Sequence, residues 1–255
     1  MKARPTAAEG GDGAVSATAA RYLEAIYYIV HEGEPVRPSR LAEWLGVSPP
    51  TVTGVVQRLR DQGTVTIRPD HSLALTPPGE LAAASIVRRH RVVERWLTDE
   101  MGLDWAAADA EAGRIAQYFS EQLVDRIFTK LGQPSTCPHG NDIPGVEGIP
   151  RRLVSLADLE SGLVAPISRI SEVAEHEAPQ LLQLLDTEGL HLGEMVEVVR
   201  SSGSEAVNVV CRGRRTALGL GAATAVWVDL SRGRGPDATA GAAGALLGTP
   251  RTPAR

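Results

Sequence analysis

The sequence of 255 residues predicts a mainly α protein with small β segments, arranged in three successive regions. Apolar residues recur at helical spacing over residues 19–79, and this region ends in two short strand-like segments. Residues 80–131 have a strongly helical pattern, whereas residues 154–230 contain mostly short strands separated by glycine-containing turns. Strands are predicted there at residues 195–199, 207–210, 217–220 and 223–228. Residues 1–18 and 233–255, which offer little apolar surface to bury, are predicted to be disordered tails.

The chain is acidic overall but contains one basic segment. There are 26 Lys and Arg against 31 Asp and Glu, a formal net charge of −5, which argues against indiscriminate coating of nucleic acid. Residues 36–68 nevertheless contain five arginines and two acidic residues. No apolar run is long enough to span a membrane and no secretion signal is evident, so we expect a cytoplasmic protein without a disulfide framework.

Two short helices are predicted at the start of the first region. Tyr22 and Ile26 lie on one face of an amphipathic helix over residues 20–30. A second helix is predicted over residues 38–45, and Gly46 follows it with the freedom to adopt the left-handed conformation that ends many helices.

A third helix follows at once and completes a helix-turn-helix. Ser48 is placed to cap it, two prolines fit its first turn, and apolar residues repeat at helical spacing from Val52 to Leu59. Two short helices joined by a tight turn form the helix-turn-helix, and strand patterns at residues 64–67 and 73–76 predict a hairpin wing beside it.

A winged helix-turn-helix with nearby arginines predicts binding to duplex DNA. The first turn of a helix in the major groove presents hydroxyl and apolar groups to base edges, while neighbouring arginines bind phosphates. We expect Pro50, Thr51 and Thr53 to contact base edges. The residues expected to contact the DNA backbone are Ser39, Arg40, Ser48, Arg58 and His71.

Five motifs follow one another along the chain, namely RYLEAIY (21–27), SPPTVT (48–53), LTPPG (75–79), RHRVVER (89–95) and CPHGNDIP (137–144). In this order they resemble the motifs of the diphtheria toxin repressor family of iron- and manganese-dependent transcription regulators. The resemblance implies a winged helix-turn-helix at residues 19–79, a helical dimerisation and metal-binding domain at residues 80–150, and an SH3-like (FeoA-like) β-barrel at residues 154–230. It also implies a homodimeric repressor that recognises a pseudo-palindromic operator.

The resemblance implies two metal sites, of which the principal one is degraded in this sequence. The positions of its ligands hold Arg21, Gly113, Ala116 and Gln117. Arginine is a cation with no acceptor atom to offer a metal, glycine and alanine have no ligating side-chain atom, and glutamine is a poor substitute for a carboxylate or imidazole ligand. The sequence therefore also allows the alternative that the chain is a metal-independent winged-helix regulator, which responds to another effector or to none.

The second implied site retains more ligands. His90 and Glu94 are four residues apart, a spacing that suits two ligands of one ion and equally an ordinary His–Glu hydrogen bond. The resemblance adds ligands from the second helical segment, the CPHG loop and the barrel, namely Asp109, Cys137, His139, Glu177 and Gln180. This mixture of nitrogen, oxygen and sulfur suits a divalent transition metal such as Fe, Mn or Zn.

Two alternative functions stay open at this point. The set of His90, Glu94, Cys137 and His139 resembles parts of a hydrolase, but no nucleophile elbow, phosphate-binding loop or zinc-protease motif occurs, so we expect no enzyme. The barrel is also a candidate interaction module for the proline-containing segment 141–150 of the same chain.

Overall fold

Helices dominate the N-terminal half of the chain and antiparallel strands the C-terminal half, which confirms the predicted fold class. The computed structural model describes residues 15–178, 180–199 and 206–234. The chain divides into two compact units, the first ending at His90 and the second beginning at Arg91. Within the described ranges, no helix has both the length and the hydropathy needed to cross a membrane.

The first unit is a winged helix-turn-helix. Its elements are α1 (Ala17–His31), α2 (Pro38–Leu45), α3 (Pro49–Asp61), β1 (Val65–Ile67), β2 (Leu73–Leu75) and the first part of α4 (Pro77–Asp99). The start of α1 falls inside the predicted tail of residues 1–18, because the Ser16 hydroxyl caps the helix by accepting a hydrogen bond from the Ala19 amide at 3.2 Å. Residues 1–14 of that predicted tail lie outside the described residues.

An apolar core holds the three helices of the first unit together. Leu23 and Ile26 of α1, Leu41 of α2 and Leu59 of α3 are all buried in it. Burial of each such side chain contributes about 1.5–3 kcal/mol, so core packing stabilises these helices more than helix propensity does. Gly46 ends α2 with a φ of 63°, as expected from its position.

The wing packs against the beginning of α4. Its two strands are antiparallel, with Val65 opposite Leu75. A Cβ on Gly79 would lie 1.8 Å from the carbonyl oxygen of Thr64, so this close approach of α4 to the wing requires glycine. The predicted domain boundary after Gly79 therefore falls inside the first turn of a continuous helix.

The second unit opens with helices. The rest of α4 is followed by α5 (Trp105–Ile115), a 3₁₀ turn (Ala116–Tyr118) and α6 (Glu121–Lys130). Val93 and Leu97 of α4 pack against Ala108 and Ala112 of α5, and a second small cluster joins α4 to α6.

A β domain completes the second unit. Its elements are β3 (Leu153–Ser155), β4 (Val164–Ile170), α7 (Glu172–Glu177), α8 (Gln180–Glu188), β5 (Met195–Val199), β6 (Val207–Cys211), β7 (Arg214–Leu218), α9 (Leu220–Ala225) and β8 (Val226–Asp229). In the described residues the strands form one antiparallel sheet in the order β3-β8-β4-β5-β6-β7. Its largest apolar core includes Ile167, Leu185 and Val226.

Two sequence-based expectations for the C-terminal region need correction or completion. The strand predicted over residues 223–228 is present only from Val226 onward, as β8, because the alanine-rich segment after Gly219 favours a helix and residues 220–225 form α9. In the predicted tail of residues 233–255, the Arg234 amide donates to the Val164 carbonyl at 2.7 Å, and residues 235–255 lie outside the described residues.

Candidate nucleic-acid interface and metal centre

Helix α3 has one buried face and one exposed face. The buried face consists of Val52, Val55, Val56 and Leu59. The exposed positions on α3 and at its cap include Ser48, Pro50, Thr51, Thr53 and Arg58. Side chains on the exposed face do not contribute to the core, so they are accessible to a groove of DNA, as the second helix of a helix-turn-helix requires.

Local hydrogen bonds orient two hydroxyl groups on this exposed face. Thr51 Oγ1 lies 2.8 Å from Ser48 Oγ. The Thr53 hydroxyl donates to the carbonyl oxygen of Pro49 at 3.1 Å. Both side chains are exposed, and small hydroxyl groups near a helix N-terminus are suited to contact base edges or phosphates.

The remaining predicted backbone contacts lie on α2 and in the wing. Ser39 is exposed on α2. Arg40 is partly engaged within its own unit, since its Nε donates to Glu34 Oε2 at 3.3 Å and its guanidinium carbon lies 5.5 Å from the centroid of Trp44. His71 is exposed in the turn of the wing with a φ of 64°. The DNA contacts of these residues remain predictions.

Three of the predicted metal ligands converge in the interior of the second unit. Ligand atoms of Glu94, Cys137 and His139 lie within 4.8 Å of one another, and all three side chains are buried. His139 Nδ1 lies 2.7 Å from Glu94 Oε1. A thiolate, an imidazole and a carboxylate form a donor set that fits a borderline-soft divalent transition metal.

Backbone contacts with β4 fix the loop that carries Cys137 and His139. The carbonyl oxygen of His139 accepts a hydrogen bond from the Ile170 amide at 2.8 Å. Gly140 has a φ of 82°, and a Cβ there would lie 2.1 Å from the carbonyl oxygen of Ser168. Glycine is therefore needed at this position, both for the turn and for the close packing that directs His139 inward.

Glu175 is a fourth potential ligand, which sequence reasoning missed. Its Oε2 lies 3.4 Å from His139 Nδ1, and its side chain is buried. Arg91 of α4 binds Glu172 through two hydrogen bonds of 2.7 Å from one nitrogen, which ties α7 to α4 and holds Glu175 in place. Several glutamates lie close together in α7, and their order in the sequence does not show which one faces inward.

The electrostatics of this cluster favour bound protons when no cation is present. Burial raises the pKa of the Cys137 thiol, and the Glu94 carboxylate raises it further. Burial acts to lower the pKa of His139, but the Glu175 and Glu94 carboxylates bring it well above its usual value. Burial also raises the pKa of Glu175 well above its usual value. A divalent cation that binds here would displace these protons.

The other four predicted ligands have different surroundings. His90 belongs to the first unit, where its Nδ1 lies 3.3 Å from Glu24 Oε1. Asp109 of α5 is half-buried and adds negative charge to the surroundings of Glu175. Glu177 and Gln180 are exposed and line an apolar groove of about 550 Å³ beside α8.

The residues at the implied principal site do not fit a metal. Arg21 is exposed on α1, and its guanidinium is a permanent cation. Gly113 and Ala116 have no ligating side-chain atom, and Gln117 is exposed and offers only an amide.

The fold and the buried ligand cluster together define a winged-helix DNA-binding protein with a metal-binding domain. Three family models match successive parts of the chain. "Iron dependent repressor, N-terminal DNA binding domain" matches residues 14–73, "Iron dependent repressor, metal binding and dimerisation domain" matches residues 76–145, and "FeoA domain" matches residues 154–230.

Relatives of known function agree with these matches. The diphtheria toxin repressor of Corynebacterium diphtheriae is 34% identical over 195 residues, which are 73% of this chain and 86% of that protein. The iron-dependent repressor IdeR of Mycobacterium leprae is 33% identical over 181 residues, or 67% and 79% of the two chains. A solved structure of a manganese-dependent transcriptional repressor with manganese is similar at a TM-score of 0.73 and 30% identity, covering 82% of this chain and 98% of that one. The chain belongs to the diphtheria toxin repressor family of iron-dependent repressors, as the sequence motifs indicate.

Proposed function

We propose that this chain is a metal-responsive transcriptional repressor that binds duplex DNA sequence-specifically as a homodimer in the cytoplasm. The observation that carries the proposal is the exposed polar face of α3, set on a helix whose opposite face is packed in the core of a winged-helix unit. The matched relatives are named repressors, which supports a regulatory rather than a catalytic role.

The homodimer is proposed from the match to a dimerisation domain over residues 76–145. Each protomer contributes one α3, so a two-fold dimer presents two copies to the major groove, about one helical turn of DNA apart. A pseudo-palindromic operator has the same symmetry, and a single half-site would lose the contacts of one protomer.

The metal response is proposed to originate in the second unit. We assign the ion to Glu94, Cys137 and His139, a proposal supported by the approach of their ligand atoms to within 4.8 Å of one another in the interior. A bound divalent cation supplies positive charge there and joins α4 to the loop after α6. The names of the matched relatives refer to iron and manganese, which supports a transition metal as the effector.

The test is binding of purified full-length protein to DNA with and without metal. Operators are selected from a random duplex library, and binding is followed by fluorescence anisotropy at several salt concentrations, with a chelator and after addition of metal. We expect salt-sensitive, sequence-specific binding that the chelator weakens and metal restores. Unchanged binding by protein shown to be metal-free would favour the metal-independent regulator, and no affinity for any duplex would refute the proposal.

A further inference from the structure

We propose that Gly54 forms the floor of an apolar notch on α3, and that this notch receives the 5-methyl group of one thymine in each half of the operator. The inference rests on the DNA binding proposed above and adds a residue that determines sequence specificity. The notch consists of Gly54 and the exposed residues one helical turn before and after it, which are Pro50, Thr51, Gln57 and Arg58.

The packing of the first unit does not explain a glycine at position 54. Gly54 lies near the middle of α3, where glycine is less favourable than any residue except proline. Its backbone is helical, without the positive φ that Gly46 adopts. Apart from its chain neighbours and its own helical backbone, a Cβ on Gly54 would have no described atom within 4 Å, whereas one on Gly79 would lie 1.8 Å from a carbonyl oxygen. The missing side chain therefore weakens the helix and leaves free space on its outer surface.

This free space lies at the centre of the face that α3 exposes. With about 3.6 residues per turn, position 54 is on the side of the helix opposite the buried Val52 and Val56. Cβ atoms one turn apart are about 5–6 Å from each other, so omission of the central Cβ leaves a recess between the two neighbouring turns. A helix that enters the major groove with this face brings the Gly54 backbone against the base edges, and close approach to a ligand is a common reason for a glycine.

The chemistry of the notch favours an apolar group on the DNA. The amide of Gln57 is engaged at both ends, since its Nε2 donates to Asp61 Oδ1 at 2.9 Å and its Oε1 accepts from Arg60 at 3.1 Å. The notch therefore offers mainly carbon, from the ring of Pro50 and the Cα of Gly54. The 5-methyl group of thymine is the apolar group that base pairs present in the major groove, and it matches this surface in size and polarity.

Size complementation between protein and DNA tests the notch. Deoxyuridine, which differs from thymidine only by the missing methyl group, replaces thymidine at one position at a time in both halves of the selected operator. Fluorescence anisotropy measures the affinity of the full-length parent protein for each duplex. We expect one position at which the replacement weakens binding by about fourfold per half-site, the effect of one buried methyl group.

The Gly54→Ala variant fills the notch with a methyl group of its own. We expect it to bind the thymine operator about tenfold more weakly or worse, because two methyl groups compete for one recess. On the duplex with deoxyuridine at the same position, its affinity should return to within about threefold of the parent's, because the recess then holds only one methyl group. Circular dichroism and chemical denaturation verify that the variant is folded, and the deoxyuridine series on the parent protein tests the notch without any substitution.

Gly221→Ala is the matched control. Gly221 is an exposed glycine of helix α9 in the second unit, and a Cβ there also has no described atom within 4 Å beyond its chain neighbours and its own helical backbone. The change adds the same methyl group outside the helix-turn-helix, so the affinities for both duplexes should equal those of the parent.

The outcomes distinguish the notch from the proposed function. Specific binding by the parent that no deoxyuridine weakens, or an equal loss by Gly54→Ala on the thymine and deoxyuridine duplexes, would overturn the notch. An equal loss by Gly54→Ala on the operator and on a scrambled duplex would place the DNA backbone rather than a base at Gly54, and would also overturn it. These results leave the proposed function standing. A parent protein without affinity for any duplex would refute the proposed function, and the notch with it.

Discussion

Replacing Thr51 with valine tests whether the exposed face of α3 recognises bases. Valine preserves the shape of the side chain and removes only its hydroxyl group. Thr51 is exposed and its described hydrogen bond is to the Ser48 hydroxyl at 2.8 Å, so the free energy of unfolding should change by no more than about 0.5 kcal/mol. Loss of a base-edge contact costs about 1–3 kcal/mol, which corresponds to roughly 5- to 150-fold weaker binding to the selected operator.

Arg58→Ala provides the contrasting variant for this experiment. The residue is exposed on the same helix, and its Nε donates to the Gly54 carbonyl at 3.4 Å. Removal of a phosphate contact weakens binding to every duplex by a similar factor and reduces the slope of log affinity against log salt by about 0.9.

Fluorescence anisotropy on the selected operator and on a scrambled duplex, each at four salt concentrations, measures both effects. The Thr51→Val protein should lose affinity for the operator alone and keep the salt slope of the parent. If it instead lost affinity equally for both duplexes, Thr51 would contact the DNA backbone and the assignment of base recognition would be wrong. Unchanged affinity for both would place Thr51 outside the interface.

Two further predictions concern stability, measured by chemical denaturation in the presence of a chelator. Gly79→Ala should destabilise the first unit by about 1–3 kcal/mol or more, because the new Cβ would lie 1.8 Å from the Thr64 carbonyl oxygen. Gly54→Ala is the control, since a Cβ there has no atom within 4 Å and the change should be neutral or stabilising. Equal changes in the free energy of unfolding would contradict the close packing at Gly79. Glu172→Ala should cost about 3–5 kcal/mol, because it removes the carboxylate that balances the buried charge of the Arg91 guanidinium, and simultaneous replacement of both residues by leucine and methionine should recover most of that loss.

The sequence revealed the helix-turn-helix well because each of its signals is local. The prolines in the first turn of α3 and the glycine that ends α2 act within a few residues, and the structure has α2 at the predicted residues 38–45. Ser48 lies at the N-cap of α3 as predicted, but its side chain makes no capping hydrogen bond to the helix backbone. The strand predicted over residues 223–228 was only partly correct, for the opposite reason. Short apolar segments suit both helix and strand, and only the position of β8 between β3 and β4 decides where the strand begins.

The candidate metal centre was only partly predictable because its potential ligands come from distant segments. The CPHG motif identified Cys137 and His139, and helical spacing drew attention to Glu94. The four-residue spacing also predicted that His90 and Glu94 bind the same ion, but the His90 side chain lies beside Glu24 within the first unit. Glu175 was not recognised, since its inward orientation depends on the ion pair that docks α7.

The four potential ligands belong to three different segments of the second unit. Glu94 belongs to α4, Cys137 and His139 to the loop after α6, and Glu175 to α7 of the β domain. A cation bound to all four would connect three segments that are distant in sequence, so its binding free energy would add to the folding free energy of this unit. The positions of the implied principal site hold Arg21, Gly113, Ala116 and Gln117, whose side chains offer a metal almost nothing. We therefore expect a metal response in this chain to originate as stabilisation of the second unit around Glu94, Cys137 and His139.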